Sequence, residues 1–248
     1  MYVQRRTATS LVSRSNERQS ASRLEAGDIE LLGGLPNASN STLLGTLTGD
    51  SKMRVVYKPI LGESPLWDFP YATLALREAA AFELSDRAGF GFVPCTVIRG
   101  GPFGLGSVQR FVEHDPSLTA FELEESHSLQ MRRVAVFDLI VNNGDRKGGH
   151  VLKDPEGSLW AIDHGVCFHP QPKLRTVLWS WVGMDFAGDE RELLDRVCKE
   201  LQGDLGEVLA SYLSPLQLRA MSARVERLLS EGKFPAPGPG RHYPWPPV

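Results

Sequence analysis

The sequence predicts an α+β fold of two lobes, a small β-rich lobe followed by a mostly helical one. Three observations carry that expectation. Short apolar runs punctuated by Gly, Pro and Asp fill the stretch from Leu43 to Val112. Segments with apolar residues at helical spacing dominate from Ser126 onward. A second hairpin, with Asp145 before it and Asp163 after it, lies at the junction. A length of 248 residues suits one large domain or two lobes around a shared cleft.

Residues 1–25 read as a flexible arm, with Arg5, Arg6, Arg14 and Arg18 among Ser and Thr. The first lobe is expected over residues 26–113. Leu43 to Leu47 and Met53 to Tyr57 form a hairpin across Thr48-Gly49-Asp50-Ser51, and Pro59 stops the second strand just after Lys58. Pro70 to Arg87 is a helix, with Pro at its first position and Gly89 as its stop. Val93 to Ile98 and Gly106 to Val112 are strands, the second connecting the lobes. The second lobe spans residues 114–233. Its helices are Ser126 to Val141, Arg191 to Cys198, Leu205 to Leu213 and Pro215 to Ser230, with the hairpin of Val151-Leu152 and Leu159 to Ile162 between the first two. Residues 234–248 are Pro-rich, a polyproline-like strap or a loose end.

Composition excludes several classes. A net charge of -3 gives no basic field, so nucleic acid is not an expected partner. No apolar run approaches the ~20 residues of a membrane span, and the first twenty residues lack the apolar centre of a secretory signal. Cys95, Cys167 and Cys198 are scattered and odd in number, which fits a reducing compartment and a cytoplasmic location.

Four groups of residues carry chemistry. Leu74, Glu78 and Phe82 share one helical face, so Glu78 among apolar neighbours needs a cation; Lys58 is the nearest candidate, and the pair would aim the ammonium at phosphates, unless Glu78 pairs locally near Arg77 or sits at the rim of the face. Glu83 instead pairs with Arg87 at i, i+4. The run Asn37-Ala38-Ser39-Asn40-Ser41-Thr42 offers small donors for phosphate oxygens, or simply a turn. Asp145 could accept a substrate proton or orient the hydroxyl, and Asp163 ends a buried strand, where a bare carboxylate needs a metal or donors; His150 at the hairpin mouth is a candidate ligand beside it. Two carboxylates brought together by a hairpin suit metal-assisted phosphoryl transfer. His164, Cys167 and His169 lack a fourth partner for zinc. Lys147, Lys173, Arg175 and Arg146 flank the proposed cleft, either to bind an anionic substrate or as a solvated surface.

Taken in order, these motifs resemble the phosphatidylinositol 3/4-kinase-like superfamily, and in pattern the type II phosphatidylinositol 4-kinases. The segments are Val56-Tyr57-Lys58-Pro59, Arg77-Glu78-Ala79-Ala80-Ala81, Val93-Pro94-Cys95-Thr96, Gln109-Arg110-Phe111-Val112-Glu113, Asn143-Gly144-Asp145-Arg146 and Ala161-Ile162-Asp163-His164-Gly165. Trp67-Asp68-Phe69-Pro70 and Lys173-Leu174-Arg175-Thr176 are similar to a bacterial branch of it. The resemblance implies a two-lobed protein-kinase-like fold, ATP and Mg2+ as cofactors, and these roles. Lys58 binds phosphate and pairs with Glu78; Ser39, Asn40 and Ser41 lie in the phosphate loop; Gln109, Phe111 and Val112 meet adenine, Val112 through its backbone; Asp145 is catalytic; Asp163, with His150, holds metal. His150 replaces the usual second metal-binding Asn, Lys147 stands where some relatives have His, and the cysteine-rich insertion of the type II enzymes is absent. The expected function is therefore an ATP- and Mg-dependent phosphotransferase acting on a hydroxyl of a lipid, small molecule or protein. A nucleotide-binding pseudokinase with a regulatory or scaffold role is the rival, and AMP transfer a third reading.

Overall fold

The computed structural model describes residues 17, 19–35 and 41–248. Five strands, β1 (Ile29–Gly34), β2 (Leu43–Leu47), β3 (Asp50–Pro59), β4 (Thr96–Gly101) and β5 (Gly104–Arg110), form one antiparallel sheet in the order β1-β2-β3-β5-β4. Strand β3 shows why. Met53, Val55 and Tyr57 are buried, while Arg54, Val56 and Lys58 alternate onto the other face and stay partly open. The β3–β5 pairing brings the backbones very close at Gly106, where a Cβ would collide with the Lys58 carbonyl and the Tyr57 ring. Only glycine permits that approach.

Two helices complete the lobe. Residues 19–26 form helix α1, and Leu24 on it is fully buried in the core with Ile29, Leu47, Val55 and Tyr57. The arm expected over residues 1–25 is thus corrected for its last part; residues 1–16 and 18 lie outside the described residues. The reason is apolar burial by Leu24, reinforced by the buried Glu17 carboxylate, which accepts from the Cys95 amide at 2.7 Å and pairs with Arg110 at 2.8 Å. Helix α2 (Leu74–Ala88) begins four residues later than expected: Thr73 is its N-cap, and the Thr73 hydroxyl donates to the Pro70 carbonyl in a preceding turn. Gly89 ends it in the left-handed conformation at φ +90°. Strands β4 and β5 are shifted by two or three residues from their expected bounds, which leaves Phe111 and Val112 as an extended linker past the sheet.

The second lobe is built on α3 (Ala120–Leu123), α4 (Ser128–Val141), the short hairpin β6 (Val151–Lys153) and β7 (Leu159–Ala161), then α5 (Gly188–Glu200), α6 (Asp204–Leu209) and α7 (Pro215–Glu231). Helix α4 buries nearly every face, from Met131 to Val141, and Met221, Val225 and Leu228 of α7 pack into the same core at i, i+4, i+7. Phe90 and Phe92, on the turn after α2, meet Phe137 of α4 edge to face at 5.1 and 5.3 Å. Such contacts add about 0.5–1.5 kcal/mol each beyond burial. They join the lobes beneath the cleft, where the Ala161 amide also donates to the Phe92 carbonyl at 2.9 Å.

The Pro-rich tail is a strap. The His242 carbonyl accepts from the Thr176 amide and the Trp179 indole, both at 3.1 Å, and the Pro247 carbonyl accepts from the Gly148 amide at 2.8 Å. The tail therefore closes over the loop that follows Asp145. Removing residues 241–248 takes away these acceptors. Hydrogen exchange at Gly148 and Thr176 is expected to quicken by roughly 10-fold or more, as local opening becomes cheaper, while α4 amides keep their protection. Equal protection with and without those residues would show that the strap does not hold the loop.

Candidate active site

Lys58 leaves β3 on the face opposite the buried residues and meets two carboxylates. Its Nζ lies 2.5 Å from Glu78 Oε1 and 3.1 Å from Asp163 Oδ1. Burial works against the ammonium charge, but Asp163 and Glu78 outweigh it and hold the Lys58 pKa above its ordinary range. The second oxygen of Glu78 accepts from the backbone amide of His164 at 2.9 Å. Glu78 thereby joins β3 of one lobe to the strand end of the other. Its side chain is 3% exposed, so both oxygens depend on these donors.

Asp163 sits just beyond β7 with φ +60°, a left-handed conformation that Asp tolerates better than most residues. Burial opposes its charge, but Lys58 and then His150 hold the carboxylate well below its ordinary pKa range. His150 Nε2 is 3.4 Å from Asp163 Oδ2. Burial, helped by Arg146, Lys58 and Lys147 and opposed by Asp163, lowers the His150 pKa to about 4, so its ring is neutral at pH 7. Its Nδ1 accepts from the Lys147 amide at 3.4 Å, which leaves the proton on Nε2, facing Asp163. In that tautomer His150 orients the carboxylate; ligation through Nε2 requires the other one.

The loop carrying Asp145 begins where Asn142 ends α4 in the left-handed conformation at φ +54°. The Asn142 side chain donates to the carbonyls of His169 and Gln171 and accepts from the Lys173 amide. At Gly144 a Cβ would press on Val166 at 3.0 Å, so the loop lies hard against the segment after Asp163. Asn143 Oδ1 accepts from the Asp145 amide at 3.0 Å. Asp145 itself is 38% exposed, 3.8 Å from Lys147 Nζ. Burial raises its pKa to about 6; Lys147 opposes the shift and Asp163 adds to it.

A separate apolar cluster of Val112, Leu152 and Trp160, with Ile162 packed against it, lies at the lobe junction. Arg110 covers the Trp160 ring at 4.4 Å, and the indole N–H donates to Asp154 at 2.8 Å. The Val112 carbonyl accepts from His114 Nδ1 at 2.8 Å. The buried Gln109 amide donates to Thr96 at 2.8 Å, and the Phe111 ring is covered by Arg54 at 4.3 Å. The side chains of Gln109 and Phe111 are thus engaged within the sheet and on its outer edge. Ser41 is exposed and its amide donates to the Gly62 carbonyl at 3.2 Å. Ser39 and Asn40 lie outside the described residues.

The fold accordingly brings Lys58, Glu78, Asp163 and His150 together, with Asp145 within electrostatic reach of Asp163. One expectation is corrected: Arg146 does not flank the cleft, because it is fully buried on Asp138. Lys173 pairs with Asp68 at 3.0 Å and lies under Trp67 at 4.7 Å, so it too has a partner. Asp138 was missed from sequence, although it stands among Val134, Val136, Phe137 and Val141 as Glu78 stands among Leu and Ala. The same reasoning about a charge on an apolar helix would have found it.

For a magnesium ion, the donor set consists of one ionised carboxylate, Asp163, with Asp145 nearby; no group of three metal-ligating side chains occurs among the described residues. That fits an ion of this kind, which commonly takes one or two protein carboxylates and completes its shell with phosphate and water oxygens.

Residues 100–202 match the family model described as phosphatidylinositol 3- and 4-kinase. The chain is 36% identical to protein Rv2133c of Mycobacterium tuberculosis, over 90% of this chain and 93% of that protein. It is 33% identical to phosphatidylinositol 4-kinase gamma 4 of Arabidopsis thaliana over 38% of this chain and 21% of the plant protein. Among solved structures it is similar to the Helicobacter pylori proinflammatory kinase CtkA, with a TM-score of 0.55 at 10% identity over 85% of this chain and 94% of that one. The Golgi casein kinase with Mn/ADP bound gives a TM-score of 0.52 at 14% identity over 86% and 74%. The two-lobed fold is kinase-like.

Replacing Glu78 by Gln keeps the shape of the side chain and removes its charge. One charge-assisted hydrogen bond weakens and the other is lost, because the amide nitrogen cannot accept, and urea unfolding is expected to show a loss of about 1.5–3 kcal/mol. A stability equal to wild type would mean that Glu78 does not couple the lobes.

Proposed function

We propose that this chain, which belongs to the same family as protein Rv2133c within the phosphatidylinositol 3/4-kinase-like superfamily, is an ATP- and Mg-dependent kinase that transfers a phosphoryl group to a hydroxyl. The observation that carries the reading is the ammonium of Lys58 lodged between Glu78 and Asp163 at the cleft. ATP lies between the lobes, its adenine against Val112, Leu152, Trp160 and Ile162 and beside the Val112 backbone. Lys58 meets the phosphates as a point charge, held in place by Glu78. The loop of Ser39, Asn40 and Ser41 supplies further donors.

Asp163, oriented by His150, would hold magnesium, which would supply charge neutralisation to the phosphates. Asp145 points its carboxylate at the acceptor hydroxyl and takes the proton as that oxygen attacks the γ-phosphorus and the bond to the β,γ-bridging oxygen breaks, releasing ADP. A pKa of about 6 suits that work, since it lies close to working pH. Nearly all the rate enhancement comes from positioning and charge neutralisation. The acceptor is a hydroxyl-bearing lipid, small molecule or protein. The rival is a nucleotide-binding scaffold without turnover. It accommodates the His150 substitution but leaves the placement of Asp145 beside Lys147 and within reach of Asp163 without a use. Transfer of AMP would give a different added mass on the acceptor.

Turnover of γ-labelled ATP by Asp163→Ala is expected to fall at least about 1000-fold, with its circular dichroism unchanged. Undiminished turnover removes the mechanism. The pH dependence has a definite sign. With a folded pKa of about 6, Asp145 becomes protonated below that pH and loses its capacity to accept, so kcat falls about tenfold per unit beneath it. Because burial raises this pKa, the protonated form favours folding, and that contribution is lost as pH rises through about 6. Asp145→Asn is therefore expected to be inactive yet to melt no lower than wild type at pH 8. A flat profile from pH 5 to 8, or a marked drop in melting temperature, would speak against the assignment.

A further inference from the structure

We infer that Arg146 is the positioning residue that sets the separation of Asp145 from Asp163, an inference that rests on the phosphotransfer reading. Arg146 is fully buried, so it meets no substrate. Its guanidinium has five N–H donors, and each finds an acceptor. Nε and Nη2 hold Asp138 at 3.0 Å. Nη1 donates to the carbonyls of Ile162 at 2.7 Å and His150 at 3.2 Å. The remaining Nη2 donor reaches His164 Nε2 at 2.7 Å.

The placement of these acceptors matters more than their number. Asp145 is the residue covalently before Arg146, and Asp163 lies between Ile162 and His164, both of which Arg146 holds. One rigid planar group therefore spans from the backbone of the first acid to both flanks of the second. The backbone of Arg146 adds a third connection, donating to the Arg175 carbonyl at 2.9 Å and accepting from the Val177 amide at 3.2 Å. Its charge is matched by Asp138, which also receives the Asn143 side-chain amide at 3.0 Å; Asn143 in turn accepts from the Asp145 amide. Thus Asp138 anchors the device to α4, and Arg146 measures out from it. The chain continues into the other lobe, because the amide of His164 donates to Glu78, which holds Lys58.

Lysine cannot replace this group. It retains the charge that Asp138 needs but has three donors around a point and no fork. Asp145 and Asp163 then drift relative to each other, while the Lys58–Glu78 pair stays. A misplacement of about 1 Å costs on the order of 100-fold in rate, and loosening a group that orients a metal ligand costs roughly 10- to 100-fold in metal affinity.

The test compares wild type with Arg146→Lys in two assays. In steady-state turnover, kcat is expected to fall about 100-fold with KM for ATP within about threefold. In melting experiments with ADP, the stabilisation seen without magnesium is expected to be unchanged, while the magnesium concentration that half-saturates the further shift rises about tenfold. Should Arg146→Lys fail to fold, His164→Ala takes its place, since it keeps the Arg146–Asp138 pair and removes one flank. The same two shifts are then expected, smaller by about tenfold in kcat. The inference is overturned if the chosen variant keeps wild-type kcat and magnesium dependence. It is equally overturned if ADP stabilisation without magnesium is lost in step with activity, which is the mark of a purely structural role. A wild-type protein without turnover defeats the phosphotransfer reading alone, because the melting comparison still decides for or against Arg146; absence of any magnesium effect on the ADP-bound wild type defeats the inference.

Discussion

The site depends on one constraint: a lysine ammonium held in a cleft must be matched by carboxylates that are themselves held. Lys58 lies between Glu78 and Asp163, and each acid is fixed from a different lobe. Glu78 rides on α2 and is nearly fully buried; Asp163 lies two residues past β7 with a left-handed backbone. Removing the Lys58 charge leaves two carboxylates without their shared cation, and Glu78, 3% exposed, is the one for which that is costly. The lobes are therefore registered by electrostatics at the top of the cleft and by the edge-to-face contacts of Phe90, Phe92 and Phe137 beneath it.

A second buried ion pair serves a different purpose. Asp138 and Arg146 are almost completely withdrawn from solvent and meet no ligand. Such a pair adds little net stability over apolar packing, because desolvation offsets the attraction. Its value lies in direction: two carbonyls, an imidazole and a carboxylate take the donors of one planar group. Apolar packing around the same loops would tolerate small rotations that displace a carboxylate by an ångström.

The surroundings hold the loops from outside. Asn142 ties the end of α4 to the segment of His169 to Lys173. On the far side, Asp68 and Trp67 of the first lobe engage Lys173, and the His169 Nε2 lies 3.0 Å from the Asp68 carbonyl. The Pro-rich tail supplies acceptors to Gly148 and Thr176. Loops with this many polar backbone groups stay ordered only where each group finds a partner.

Much of this was legible in the amino-acid order. Alternation in β3 put Lys58 on the face away from Met53, Val55 and Tyr57, and helical spacing put Glu78 on an apolar face in need of a cation. Both are local patterns with a period set by the backbone, so they survive without knowledge of the fold. The positions of Asp145 and Asp163 around a hairpin were readable for the same reason. Tertiary structure alone decided the rest. Nothing in the order of residues distinguishes Arg146 in a buried socket from an arginine at the rim, since its five acceptors come from α4, the turn before β6 and the loop after β7. The packing of α1, expected as part of a flexible arm, depends on Leu24 meeting Val55 and Tyr57, and on Glu17 meeting Arg110 93 positions away. The strap likewise rests on hydrogen bonds between segments more than sixty positions apart. Local sequence sets which residues can face a site; only the folded chain sets which of them arrive there, because partners distant along the chain have no shared periodicity to betray them.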